Sequence, residues 1–174
     1  TGLLLLSPLL LVVLALGWRD TRSPLFLQER VGRWKRPFVL VKFRTMRPDT
    51  GSVATHLVDA SAITSLGRFL RRTKLDELPQ LWNVLLGDMS LVGPRPERPV
   101  FIEEFKREIP RYALRHKIKA GMTGWAQING MRGKTSISKR IEFDLYYIEN
   151  WSFRLDMKIL IKTALGGFIS RNDY

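Results

Sequence analysis

Cysteine is absent from this chain, which excludes disulfides and thiolate metal sites and is compatible with a reducing compartment. Acidic residues are few: 16 Asp and Glu stand against 29 Lys and Arg, a formal charge of +13. Such an imbalance argues for an anionic partner, and nucleic acid, anionic lipid and nucleotide substrates all qualify. Also missing are the Walker loop and the dinucleotide fingerprint, the two glycine-rich patterns that cradle nucleotide phosphates. Any phosphate site must therefore be built otherwise. At 174 residues the chain fits one domain with a moderate core.

Charge is missing altogether from Thr1 to Trp18, and Leu3 to Leu16 is apolar but for Ser7 and Pro8. A straight helix of that length rises about 27 Å, marginal for a hydrocarbon core about 30 Å thick. Pro8 is expected to break it further, with the Ser7 hydroxyl and nearby carbonyls repairing the gap as membrane helices tolerate. A signal peptide would want a basic start and a small-residue cleavage site, and neither is present. A spanning helix, a re-entrant helix and a buried soluble helix remain, and periodicity does not separate them. The abrupt start at Thr1 leads us to expect upstream sequence.

The chain then turns basic. Between Arg19 and Arg47, nine Lys or Arg face only Asp20 and Glu29. Positive charge beside an apolar segment marks the cytoplasmic side and attracts anionic head groups. Pro24 to Gln28 and Pro37 to Phe43 read as two strands joined around Gly32, Arg33 and Lys35. In an extended segment Lys42 and Arg44 point to one face, either a solvated edge or one wall of a phosphate site. Pro48 to Thr55 reads as a loop, and Ser61 to Arg72 as an amphipathic helix whose Arg68, Arg71 and Arg72 lead towards Asp76.

The stretch from Thr73 to Pro96, TKLDELPQLWNVLLGDMSLVGPRP, organises the rest. Leu78, Leu81, Trp82, Leu85 and Leu86 recur at helical spacing, predicting a buried stripe, and Gly87 is a natural stop. Pro79 is tolerated in a first turn, which places Asp76 and Glu77 at the helix start. Thr73 with Asp76 also fits a capping box, which would put Pro79 inside the helix. Free amides and the macrodipole attract phosphate to such an end, so a carboxylate there can meet a phosphorus atom held by cations. The plainer alternative is that Asp76 is an N-cap. Beyond the helix, two prolines fix the backbone on either side of Arg95, whose planar fork suits a phosphate as well as a structural bridge.

Downstream, Pro99 to Glu108 predicts a helix and Pro110 to His116 the start of another, while Lys117 to Gly133 reads as a tight, glycine-rich segment. Ser138 to Glu149 predicts a further helix, and Ser152 caps one that runs to about Leu165. On this last helix Phe153, Met157, Leu160, Ile161, Ala164 and Leu165 form an apolar band beside Arg154, Lys158 and Lys162. Such a helix suits a membrane interface or a core, and Trp151 and Phe153 fit interfacial anchoring.

Taken in order, the apolar helix with SerPro, PLFLQERVG, KFRTM, LDELPQLWNVLLGDMSLVGPRP and GMTGWAQINGMRG resemble the bacterial monotopic phosphoglycosyl transferases over nearly the whole chain. The resemblance implies transfer of a sugar 1-phosphate from a UDP-sugar to polyprenol phosphate, such as undecaprenyl phosphate, with Mg2+. UMP leaves, and the lipid product starts a capsule, exopolysaccharide or glycan at the cytoplasmic face of the bacterial inner membrane. The implied fold is α+β and mostly helical: a re-entrant membrane helix at 1–18, broken at Ser7 and Pro8, then a small β-hairpin and amphipathic interfacial helices around one catalytic core at 19–174. By resemblance Asp76 is the nucleophile and Glu77 its acidic partner, both candidate metal ligands. Lys42, Arg44, Arg71 and Arg95 form the phosphate-binding wall, and Thr123, Gln127, Asn129 and Arg132 are candidate nucleotide or sugar contacts. Phospholipid is an expected partner, nucleic acid is not, and a homo-oligomer is allowed. Two positions depart from many relatives: Ala120 stands in place of proline, and Met131 separates Gly130 from Arg132. The GWAQING and RIEFDLYYIENW wording resembles a subgroup of longer enzymes that often transfer glucose 1-phosphate, so the chain is expected to be a catalytic fragment.

The chemistry agrees. A carboxylate is a weak nucleophile towards a diphosphate, so cations must neutralise the phosphate and align the attack. Adjacent helical carboxylates point about 100 degrees apart and should have different roles. A basic membrane-tethered module binding RNA or lipid explains the charge but not Asp76, Glu77 and the proline-held Arg95. An aspartyl-phosphate hydrolase or ATPase ought to show a Walker loop or a second acidic cluster, and neither is present.

Overall fold

The computed structural model describes residues 2–50, 60–131 and 135–166. Arg132 and the later part of the expected loop, 51–55, lie outside them. The described chain is mostly helical with two small two-stranded sheets.

Helix α1 spans Gly2–Thr21 with Pro8 inside it. The expected break at Ser7 and Pro8 does not end the helix: a mid-helix proline removes one main-chain bond, and helical residues on both sides carry the segment through. Most of its apolar surface is bare, including Leu5, Leu11 and Val12. Its buried contact is Val13, which packs with Phe43 and Leu70, flanked by Leu10, Leu66 and Leu75. Among the described residues no helix is long and apolar enough to cross a membrane.

Strands β1 (Leu25–Val31) and β2 (Pro37–Phe43) form the expected antiparallel hairpin, with Phe26 opposite Lys42 and Val31 opposite Pro37. Helix α2 (Ser65–Thr73) starts on Thr64, whose hydroxyl accepts from the Gly67 amide, and stops at Lys74 in the left-handed region. A β-carbon at Gly67 would lie 2.0 Å from the Thr45 carbonyl oxygen, so only glycine lets α2 press this closely on the end of the hairpin.

A 3-10 turn at Leu75–Glu77 then feeds α3 (Gln80–Leu86), which Gly87 ends at φ +86. The bonds from Glu77 to Lys74, Leu78 to Leu75 and Trp82 to Pro79 are all of the tighter i to i−3 kind. Asp76 and Glu77 thus sit in the first turn of the helical run, as Pro79 suggested, but on 3-10 backbone ahead of a seven-residue helix. A long helix offering its free amides to phosphate is not present there. Thr73 makes no capping box either, because its hydroxyl turns back to the Phe69 and Leu70 carbonyls.

The predicted stripe on α3 is reversed. Trp82 and Leu85 are 51% and 66% exposed and Leu86 is exposed as well, whereas Gln80 and Asn83 are buried at 2% and 1%. Asn83 explains the inversion: it accepts from the Val41 amide at 3.1 Å and donates to the Val39 carbonyl at 2.7 Å. Its amide completes the open edge of β2, a pairing that an apolar face cannot supply.

Strand β3 (Met89–Val92) pairs in parallel with β4 (Ala120–Thr123), and α5 (Trp125–Ile128) follows. Helix α4 (Pro99–Glu108) matches the sequence expectation, and a 3-10 turn at Tyr112–Lys117 replaces the next expected helix. Helix α6 is Ile137–Glu149 and α7 is Phe153–Gly166, with Ser152 accepting from the Leu155 amide as its expected cap. One core joins Val31, Ile102, Ile109, Tyr112, Ile141 and Leu145. Another joins Val92, Tyr147 and Ile159, the one residue of α7 that is fully enclosed among those described. The band of Phe153, Met157, Ile161 and Leu165 faces outward.

Candidate active site

Four elements meet at the adjacent carboxylates. Leu75 ties the dyad turn to the α1, β2 and α2 core, and Asn83 ties the following helix to β2. That pairing brings the Lys42 side chain beneath the turn, where Nζ donates to Glu77 Oε1 at 2.8 Å. From the opposite side Arg95 Nη2 donates to the same oxygen at 2.6 Å. Glu77 is therefore clamped between two cations. Burial, the largest influence, pushes its carboxyl up, but Arg95 and Lys42 together hold it well below the usual carboxylate range.

Asp76 is treated differently. Its Oδ1 is buried without a hydrogen-bond partner among the described residues. Burial first and the Glu77 charge second raise its pKa to about 6, against the pull of Lys42, Arg71 and Lys74. Two neighbouring carboxylates are thereby separated: one is fixed and anionic, and the other is desolvated with an uncommitted oxygen. A strongly perturbed acid of this kind is a candidate reacting group.

The structure gathers Asp76, Glu77, Lys42 and Arg95 and places Arg71 beside them, its Nε donating to Thr45 Oγ1 at 2.8 Å. Arg44 is engaged at the start of the hairpin. Its guanidinium donates to the Ser23 and Leu25 carbonyls and lies over the ring of Phe26, the residue opposite Lys42. Thr123, Gln127 and Asn129 make hydrogen bonds to Thr163, the Met122 carbonyl and the Trp125 carbonyl, and none of them bonds the dyad among the described residues. Mg2+ is usually bound through one or two carboxylates with the remainder from phosphates and water. Asp76 Oδ1 fits that use, and Glu77 Oε1 is already engaged.

Sequence reasoning missed the layer behind Arg95. Arg115 is 4% exposed, donates to the Arg95 carbonyl and forms an ion pair with Asp144, and Glu97 lies among Arg30, Arg115 and Arg140. The spacing of Arg140 and Asp144 on one helix face was the available signal. Lys74, which acts on Asp76, was also passed over.

The model of the bacterial sugar transferase family matches residues 1–169. The chain belongs to that family. The resemblance read from its motifs is thereby borne out. Among curated bacterial sugar transferases, the UDP-glucose:undecaprenyl-phosphate glucose-1-phosphate transferase of Escherichia coli (strain K12) is 45% identical over 99% of this chain and 39% of its own length. A UDP-N-acetylgalactosamine-undecaprenyl-phosphate N-acetylgalactosaminephosphotransferase of Aeromonas hydrophila is 41% identical over 96% of the chain and 41% of its own length. The uncharacterized sugar transferase EpsL of Bacillus subtilis (strain 168) is 44% identical over 94% of the chain and 77% of its own length. The chain thus spans about two fifths of the first of these relatives.

Proposed function

We propose that this chain carries the catalytic part of a sugar-1-phosphate transferase that takes a UDP-sugar as donor and undecaprenyl phosphate as acceptor. The relatives' names support both substrates, and they differ in the sugar, with glucose in one and N-acetylgalactosamine in another. The observation that carries the mechanism is the buried, uncommitted Oδ1 of Asp76 beside a cation-clamped Glu77.

Asp76 attacks the sugar-bearing phosphorus of the donor. The bond to the UMP oxygen breaks, and an aspartyl phosphosugar forms. A phosphate oxygen of the lipid then attacks the same phosphorus, giving the polyprenyl diphosphate sugar and restoring the carboxylate. Arg95, its free donors directed by Pro94 and Pro96, binds the diphosphate while holding Glu77, and Lys42 holds Glu77 from the other side. Glu77, held anionic by these two cations, keeps them in place through both half-reactions, and an acceptor phosphate that arrives protonated gives its proton to water. Mg2+, held by Asp76 and the substrate phosphates, would supply charge neutralisation.

The bare apolar side of α1 and the outward band of α7 support a membrane-bound enzyme. We place it at the cytoplasmic face of the bacterial inner membrane, where UDP-sugars are found, with α1 bending at Pro8 in the bilayer so that it enters and leaves one leaflet. Single cysteines near Thr1 and Trp18 should then both resist an impermeant thiol reagent in intact cells, and labelling at one end would show a spanning helix instead.

The chemical test is direct. UDP-sugar and Mg2+ without lipid should leave a sugar-phosphate mass on Asp76, and Asp76→Asn should abolish both the adduct and turnover. Full turnover in that variant would overturn the assignment.

A further inference from the structure

The proline-flanked loop is gripped at four consecutive carbonyls by four separate donors. The Gly121 amide bonds Pro94 at 2.9 Å, Arg115 Nη2 bonds Arg95 at 2.6 Å, Arg30 Nη1 bonds Pro96 at 3.2 Å, and the Val31 amide bonds Glu97 at 2.9 Å. Neither proline has an amide to donate, so the loop's position depends on what its carbonyls accept. The contact at Arg95 is charge-assisted, and its donor side chain is buried. Its donor is in turn fixed: Arg115 Nη2 lies 2.9 Å from Asp144 Oδ2 on α6, and Nη1 lies 3.4 Å from the Tyr112 hydroxyl and 3.7 Å from Glu97 Oε2.

We infer that Arg115, held by Asp144, is a positioning residue that fixes the Arg95 backbone and so sets where the Arg95 guanidinium meets Glu77 and the donor diphosphate. The diphosphate part of this inference rests on the proposed function. Arg115 has the geometry for the task because one planar guanidinium reaches a carbonyl, a phenol and two carboxylates together. A lysine keeps the charge but offers a single nitrogen, so it can hold Asp144 or the Arg95 carbonyl with less constraint. Asp144 is buried at 2% exposure on the helix behind, and burial raises its pKa to about 6 against the pull of Arg115 and Arg140. Charge is kept at this depth by the pairing, and the pairing orients the arginine.

The test is a double-mutant cycle on the intact protein in nanodiscs. Arg115→Lys and Asp144→Asn are each made alone and with Arg95→Lys, and kcat and KM for the UDP-sugar are measured with melting curves. If Arg115 acts through Arg95, each single variant should lower kcat by about thirtyfold or more, since small misplacements of a catalytic group cost up to about a hundredfold. KM should move less. In the Arg95→Lys background the same changes should cost under about threefold, because the positioned group is gone. Equal losses in both backgrounds would overturn the inference and leave a general structural staple. Should Arg115→Lys fail to fold, the isosteric Asp144→Asn carries the cycle.

A readout free of turnover separates this inference from the functional reading. The Arg95 side-chain Nε resonance, identified by its loss in Arg95→Lys, should shift in Arg115→Lys and in Asp144→Asn. An unchanged resonance would overturn positioning. Absence of transfer from any UDP-sugar, with the shift still present, would instead remove the proposed reaction.

Discussion

Two clusters of buried charge lie on either side of the Arg95 loop, and they resolve the same problem in opposite ways. Behind it, Arg115 and Asp144 pair at 2.9 Å, and Glu97 is surrounded by three arginines. In front, Lys42 and Arg95 spend their contacts on Glu77 and leave Asp76 Oδ1 buried without a bond. An unsatisfied buried carboxylate oxygen is costly, whereas a paired one is tolerated. The rear cluster is therefore a support. Asp144 Oδ2 also lacks a hydrogen bond, but a guanidinium nitrogen stands 2.9 Å from it, whereas Asp76 Oδ1 has neither a hydrogen bond nor an ion pair among the described residues, and that contrast marks Asp76 as the carboxylate open to a ligand.

Removing Glu77's charge should erase the contrast most completely. Glu77→Gln leaves Lys42 and Arg95 facing each other without an anion, and transfer should fall by about a hundred- to a thousandfold, the range for losing one preorganised electrostatic group. Steady-state assay with undecaprenyl phosphate reads the total, and intact mass reads whether the Asp76 adduct still forms. An adduct that accumulates without transfer assigns Glu77 to the second half-reaction. Loss of stability should accompany the change above about pH 4.5, where the clamped carboxylate is ionised in both states, and fade as pH falls and the native group protonates.

Arg95→Lys should act next, at about a hundredfold in kcat with the fold retained, because charge persists while the second donor for the diphosphate is lost. Wild-type rates in that variant would make Arg95 a member of the rear support.

The difference between the clusters was only half legible in the sequence. Asp76, Glu77, Lys42 and Arg95 could be found because proline, glycine and strand alternation are local signals. The helix ends at Glu108 and Glu149 were readable for the same reason. Arg115 and Glu97 were not, since their partners come from distant segments and no period announces them. The stripe on α3 misled because leucine spacing gives a face without saying which side it turns. Asn83 decided that, and its bonds to Val39 and Val41 span more than forty residues. The parallel pair β3 and β4 was missed for the same reason: two four-residue strands rest on glycine contacts, with a β-carbon at Gly121 only 2.1 Å from the Gly93 amide.

Titration should distinguish the two carboxylates without mutation. Asp76, raised to about 6, must ionise to attack, so adduct formation in a single turnover should rise about tenfold per pH unit below 6 and level above it. Asp76→Asn gives the matching stability test. A carboxyl whose native pKa is raised stabilises the fold relative to its ionised form at low pH, and that advantage is lost as pH rises through the native value. The asparagine variant should therefore be more stable than wild type at pH 8, on the order of 3 kcal/mol for a shift of this size. The gain should fade as pH falls from 6 towards 4. A flat difference across that range would mean Asp76 is not desolvated.

The smallest effect is expected at Arg44, and it tests where the front cluster ends. Alternation placed Arg44 beside Lys42, and its guanidinium lies over Phe26, the residue opposite Lys42, but β2 stops at Phe43 and the Arg44 amide bonds the Pro24 carbonyl at 2.7 Å. Its guanidinium then bonds the Ser23 carbonyl at 2.8 Å and the Leu25 carbonyl at 3.1 Å, securing the connection from α1 into β1. Arg44→Gln should thus cost about 1 kcal/mol of stability, the usual worth of partly exposed hydrogen bonds, and leave transfer within about twofold. Melting curves and initial rates measured on the same preparation decide it. A tenfold loss of rate at unchanged stability would return Arg44 to the phosphate wall, and the front cluster would then reach across the end of the hairpin to the foot of α1.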